Sequence, residues 1–210
     1  MAGLLRSLPK KFIGKDDEVT QANADKAAFD LFERINEEVR GDWRLDTSQC
    51  GPYDEVLLGE FKSAIWDFFT VEGYPLLDFA AIESGVDFGP GTSPGAEDTS
   101  FLCKLGHSDL TASNNLVISL FDEWVKASPL RVDCEIARTL AMGSPRVTDS
   151  TRITPVPKTA KISRLVKPEP LLNMFFQKGV QKVLEDQLRR KFDIDLSLQP
   201  QLNAELARLG

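Results

Sequence analysis

The sequence predicts a predominantly helical chain with a few short strands, an α+β arrangement, and three observations lead there. Apolar residues recur at three- and four-residue spacing in five separate runs. Glycine and proline punctuate the chain around 51–52 and again, densely, over 84–100. One segment, "TPVPKTAKISRLVKPEP" at 154–170, is barred from helix by four prolines and has to run extended. At 210 residues, 42% hydrophobic and 27% charged, the chain can bury one good core or a core with an appended subdomain.

The first run, "DDEVTQANADKAAFDLFERINEEV" from 16 to 39, sets Ala27, Ala28, Leu31, Ile35 and Val39 near one helical face, with acids leading as the helix dipole prefers. After the break at Gly51-Pro52, "DEVLLGEFKSAIWDFF" (54–69) places Leu57, Phe61, Ile65 and Phe68 on one stripe behind the capping residue Asp54. Trp66 and Phe69 widen that stripe, and aromatic residues at this spacing are assigned to core packing. The stretch 84–100, "SGVDFGPGTSPGAEDTS", reads as a loop. Gly89, Gly91 and Gly95 could aim backbone N–H groups at an anion, yet the Lys-Ser/Thr that ends a nucleoside-triphosphate P-loop is absent. Then follow "NNLVISLFDEWV", with Leu116, Leu120 and Trp124 on one face, and "VDCEIARTLAM", both core helices by pattern. The strongest helical pattern is 170–191, where Leu172, Phe176, Val180, Leu184 and Leu188 repeat; Pro170 suits the first turn, and Arg189, Arg190 and Lys191 suit the last.

Charge is segregated. From 151 to 191 ten bases face three acids, whereas the rest of the chain has fifteen bases and twenty-nine acids, for a total of −7. A basic block in an acidic protein points to a localised polyanion site. No apolar run is long enough to span a membrane and "MAGLLRSLPKKF" lacks a signal-peptide core, so a cytoplasmic protein is expected. Cys50, Cys103 and Cys134 fit neither a zinc motif nor a redox pair and are read as reduced. His107 is the only histidine, which excludes His-rich metal sites and leaves a Ser or Cys nucleophile with one possible imidazole base.

Within the proline frame, Lys158, Lys161, Arg164 and Lys167 recur every third residue. On an uninterrupted extended chain, Lys158 and Arg164 share one face and Lys161 and Lys167 the other, the members of each pair about 20 Å apart. Two such faces suit two anionic partners.

The stretch Val156–Val180, "VPKTAKISRLVKPEPLLNMFFQKGV", resembles the fingers segment of the RNA-directed RNA polymerases, or replicase catalytic subunits, of small positive-strand RNA bacteriophages of the levivirus type. That pattern is Val-Pro-Lys, a second Lys three on, an Arg three further, then Glu-Pro and Asn-Met-Phe-Phe-Gln leading a helix. It is met by Val156, Pro157, Lys158, Lys161, Arg164, Glu169, Pro170, Asn173, Met174, Phe175, Phe176 and Gln177. The tail "DIDL" with "QPQLNAELARLG" continues the likeness, "FGPGTS" (88–93) resembles the family's Gly-rich loop, and "LLGEFKSAIWDFF" resembles its upstream helix more weakly.

The resemblance implies a nucleotidyltransferase of viral RNA replication working in the cytoplasm of the bacterial host. Lys158 and Arg164 would bind the incoming nucleoside triphosphate, Lys161 and Lys167 the RNA template, and Glu169 would pair with a nearby base to orient the arm. Arg offers phosphate a planar fork and Lys a movable point charge. Host translation elongation factors and a ribosomal protein are implied as partners. The complete enzyme would use Mg²⁺ held by palm aspartates, which do not appear here: "GKDDE" (14–18) lacks the flanking strands of a Gly-Asp-Asp turn. The chain is thus expected to be an N-terminal and fingers portion without catalytic or metal-binding residues of its own, inactive alone. Its expected regions are helical 1–83, the Gly-rich loop and helices of 84–150, and 151–210 with the arm packed on helix 170–191. The alternatives are a non-enzymatic RNA-binding module using the same arm, and a Cys103/His107 hydrolase.

Overall fold

The computed structural model describes residues 18–41, 48, 50–89, 91, 96, 98–148, 153–159 and 161–209. The chain divides into two compact units: Met1–Ser48 with Ser150–Pro168, and Gln49–Asp149 with Glu169–Gly210. Helices predominate and the strands are two or three residues long, as the periodicity predicts.

The first unit consists of helix α1 (Glu18–Glu38) and an antiparallel hairpin of β5 (Thr154–Val156) and β6 (Arg164–Val166), β1 to β4 belonging to the second unit. Thr154 pairs with Val166, Pro155 with Leu165 and Val156 with Arg164. Alternation along both strands leaves Pro155 and Leu165 half-buried while Thr154, Val156, Arg164 and Val166 face solvent. The hairpin packs on α1. Small side chains permit that approach, since Ala24 and Ala28 are buried, whereas Ile35 and Val39 of the expected stripe are exposed, as is Phe32. The sequence reading grouped the arm with helix 170–191; here the hairpin shares a unit with α1, and that helix falls in the other.

The second unit is built around α7 (Leu171–Phe192). Before it come α2 (Pro52–Phe68), the hairpin β1 (Thr70–Val71)/β2 (Tyr74–Pro75), α3 (Phe79–Glu83), α4 (Phe101–Gly106), β3 (Thr111–Ala112), α5 (Asn115–Lys126), α6 (Pro129–Met142) and β4 (Arg146–Val147). After it comes α8 (Gln199–Leu209). The β1–β2 turn uses Glu72 and Gly73, both at positive φ as a tight two-residue hairpin requires. Strands β3 and β4 pair in parallel, Thr111 with Arg146 and Ala112 with Val147.

Phe175 is the centre of the core. It is fully buried and meets Phe88, Phe121, Trp124 and Phe176 at ring separations of 5.0–6.3 Å, mostly edge-on or tilted. The central face of α7 is therefore Leu171, Phe175 and Gly179, with Leu172 and Phe176 buried beside it. Of the predicted stripe, Val180, Leu184 and Leu188 are only half-buried. Gly179 lets α3 approach: a Cβ there would stand 2.3 Å from the Ile82 carbonyl oxygen. Asn173 is also structural, its amide accepting from the Ser113 N–H at 2.9 Å and donating to Ser113 Oγ at 2.7 Å.

Two predicted stripes differ from the structure. On α5 the buried residues are Phe121, Trp124 and Val125, and Leu116 is exposed. Helix α2 has the expected amphipathic pattern but no buried residue: Leu57, Phe61, Ile65, Trp66 and Phe69 are all exposed, Phe61 by 63% and Trp66 by 70%. Periodicity records which face is apolar, and no described element of the unit covers this one. Within the helix only Leu58 and Phe68 are half-buried, Phe68 being stacked on Phe192 at 5.9 Å.

Candidate nucleic-acid interface

The basic arm turns back on itself instead of running straight. Between β5 and β6 the loop 157–163 closes around Thr159, whose N–H and hydroxyl both reach the Ile162 carbonyl, at 3.1 and 3.2 Å. The same hydroxyl oxygen accepts from the N–H groups of Lys161 (3.3 Å) and Ile162 (3.1 Å), a Ser/Thr turn that the prolines on either side conceal in the sequence. The two-face arrangement needed an uninterrupted strand and is replaced by a hairpin. Lys158 now leaves β5 two residues after Val156, the strand partner of Arg164. Lys161 lies on the loop, and Lys167 follows the end of β6.

The base of the loop is pinned. Ser163 is only 5% exposed; its N–H donates to the Ala24 carbonyl at 3.0 Å and its hydroxyl to the Asp25 carboxylate. Gln21 Nε2 donates to Ser163 Oγ at 2.9 Å and to the same carboxylate oxygen of Asp25. This latch orients the residue immediately before Arg164. Sequence reasoning missed it because its members are more than 130 residues apart and no local pattern joins them.

Lys158, Lys161, Arg164 and Lys167 are all exposed, and among the described residues none has a carboxylate partner. Arg131, Arg138, Arg146, Lys182 and Arg189 each sit against an acid, whereas Lys178, Arg190 and Lys191 of α7, like the four arm cations, form no ion pair among the described residues. Four uncompensated charges on one short hairpin attract a polyanion. Glu169 is half-buried and forms no ion pair among the described residues, so the pairing expected for it is not seen there.

The Gly-rich loop belongs to the second unit, and of its glycines Gly95 lies outside the described residues. Lys104, fully buried, donates its ammonium to the carbonyls of Gly89 and Gly91. Those two carbonyls are turned toward a protein cation, which makes this a tethered loop, in keeping with the plain-loop reading. His107 caps α4 through its backbone N–H on the Cys103 carbonyl at 2.9 Å; the hydrogen bonds of the described residues include none between the Cys103 thiol and the imidazole. Among the described residues no three His, Cys, Asp or Glu side chains cluster to hold a metal ion. Among the described residues no helix is long and apolar enough to cross a membrane.

Residues 126–210, which contain the hairpin, α7 and α8, match the family model described as RNA replicase, beta-chain. Over that stretch the chain is similar to RNA replicase beta-chains. No curated protein matches the chain.

Proposed function

We propose that the chain is the N-terminal and fingers part of a phage replicase, its hairpin arm contacting the incoming nucleoside triphosphate and the RNA template. Lys158 and Arg164 act on the triphosphate and Lys161 and Lys167 on template phosphates. Glu169 supports the segment between arm and α7. The observation that carries this reading is the set of four exposed cations without acidic partners on a hairpin latched at Ser163.

The chemistry is charge neutralisation. Arg164 lies opposite Val156 at the loop's mouth, where its fork can take two phosphate oxygens, and Lys158 on the neighbouring strand exit adds a movable charge to the same ligand. As the pyrophosphate leaves, its charge rises, so contacts held here strengthen toward the transition state. Polymerisation itself requires metal-binding carboxylates that the described residues do not assemble, and the chain alone is inactive on this reading. The complete enzyme works in the cytoplasm of the bacterial host with magnesium, host elongation factors and a ribosomal protein.

The test is RNA affinity against salt, with and without competing nucleoside triphosphate, for the chain and for Arg164→Ala and Lys161→Ala. Arg164→Ala should relieve triphosphate competition, and Lys161→Ala should lower the salt slope of RNA binding by about 0.7 while competition persists. Salt-dependent RNA binding with no triphosphate competition in the parent chain would favour a plain RNA-binding module instead.

A further inference from the structure

We propose that the second unit carries its own contact for single-stranded RNA, in the cleft between the β1–β2 hairpin and α7, with one base stacked on Tyr74 and the adjoining phosphate on Arg190. The proposal rests on the RNA-binding reading above for its ligand class and uses none of the arm's residues. The cleft holds about 460 Å³ and is lined by Tyr74 and Pro75 of the hairpin, by Asp78 ahead of α3, and by Asp186 and Arg190 of α7. That volume lies within the roughly 300–1,000 Å³ of sites that take small molecules, and a nucleotide fits it.

Tyr74 is 75% exposed, and the tight turn at Glu72 and Gly73 holds its strand against β1, Tyr74 pairing with Val71. A short, fixed hairpin thus presents an aromatic face to the cleft. Arg190 is exposed and has neither an ion pair nor a hydrogen bond among the described residues. The acids of the cleft are already engaged. Asp78 Oδ1 accepts from the Ala81 N–H at 2.7 Å as the cap of α3, and Asp186 Oδ1 accepts from Lys182 at 2.9 Å. The neighbouring Arg189 is held by Asp195 at 2.7 Å, so it is Arg190, followed by the equally unpaired Lys191, that offers free charge here. The dipole of α7 favours cations in its last turn, yet it does not account for an open aromatic ring lining the same cleft. A sequence-tolerant single-strand site combines those two features: a ring on which any base stacks, and a cation for the backbone. The guanidinium fork suits phosphate oxygens, and only an unpaired strand has a base free to leave its stack for the ring.

The experiment uses the full chain and an arm variant with Lys158, Lys161, Arg164 and Lys167 changed to Gln. The probe is a short oligouridylate carrying 4-thiouridine, followed by photo-crosslinking with peptide mass spectrometry and by affinity against salt. In both proteins a crosslink should map to the β1–β2 peptide at Tyr74. In the arm variant, Tyr74→Leu should raise Kd about fivefold or more, whereas Tyr74→Phe, which keeps the ring, should change it less than about twofold. Arg190→Gln should lower the salt slope of the arm variant by about 0.7. Both side chains are exposed, so these variants should melt at the parent temperature. Absence of the Tyr74 crosslink, equal affinities of Tyr74→Leu and Tyr74→Phe, or an unchanged slope in Arg190→Gln would each overturn the proposal. The two readings fail separately: Tyr74 and Arg190 effects that persist while the arm variant binds like the parent support this site and contradict the arm, and the reverse result removes this site and leaves the arm.

Discussion

Replacing Ser163 by Ala removes no charge from the arm, yet it should weaken RNA binding. The hydroxyl donates to Asp25 and accepts from Gln21, and its loss leaves both of those groups short of one partner. A hydrogen bond to a charged group contributes about 1.5–3 kcal/mol; Asp25 is half-buried, so water recovers part of it and about 1.4 kcal/mol remains, a factor of about ten in the latch equilibrium. Affinity for RNA falls with the fraction of competent arm, so Kd should rise by up to about tenfold. The slope of log Kd against log salt should not move, because all four cations remain. Hydrogen exchange gives an independent readout: the Ser163 amide, bonded to the Ala24 carbonyl at 3.0 Å, should lose protection. Unchanged affinity with unchanged exchange, or a reduced salt slope, would refute the argument that Ser163 positions the arm.

Three further outcomes are expected. Gly179→Ala gains about 1 kcal/mol of helix propensity but drives a methyl to 2.3 Å from the Ile82 carbonyl; with overpacking near 3 kcal/mol the net loss is about 2 kcal/mol, and Tm should fall by about 4–8 °C in a thermal melt. Phe61→Ser, on the exposed α2 face, should change the unfolding free energy measured by urea titration by no more than about 0.5 kcal/mol, whereas a core position would cost several. The Asp195 carboxyl is held below its ordinary pKa by the Ser197 hydroxyl, then the Ser197 N–H, then Arg189. Its contribution to the turn after α7 is present above the unfolded carboxylate value and lost as pH falls through the lower folded one, so amide exchange at Ser197 should quicken there and lose that pH dependence in Asp195→Asn.

The helices were legible because burial at three- and four-residue spacing is written locally. The run 170–191 is helix Leu171–Phe192, and 16–39 is Glu18–Glu38 to within a turn. Which apolar faces would be covered was not legible. Leu57, Phe61 and Ile65 have the same pattern as Leu172 and Phe176, and only tertiary contacts separate exposed from buried. The arm was recognised by its charges but given the wrong geometry. Prolines do forbid helix, as read, but the chain reversal depends on one hydroxyl, that of Thr159, accepting two backbone N–H groups, and spacing of cations does not report it. The Ser163–Asp25–Gln21 latch and the Lys104 tether were invisible because each joins residues distant in sequence or buries a side chain usually left in water.

The central claim is that the four unpaired cations of the hairpin bind phosphate, and the salt dependence of RNA affinity tests it most directly. Each phosphate contact to a single strand contributes about 0.7 to the slope of log affinity against log salt. With Lys161 and Lys167 on the template, changing Lys158, Lys161, Arg164 and Lys167 together to Gln should therefore reduce the slope by about 1.4 while circular dichroism and Tm stay at the parent values, since none of the four pairs with an acid among the described residues. A quadruple variant that stays folded and binds RNA with the parent affinity and the parent slope would contradict the account.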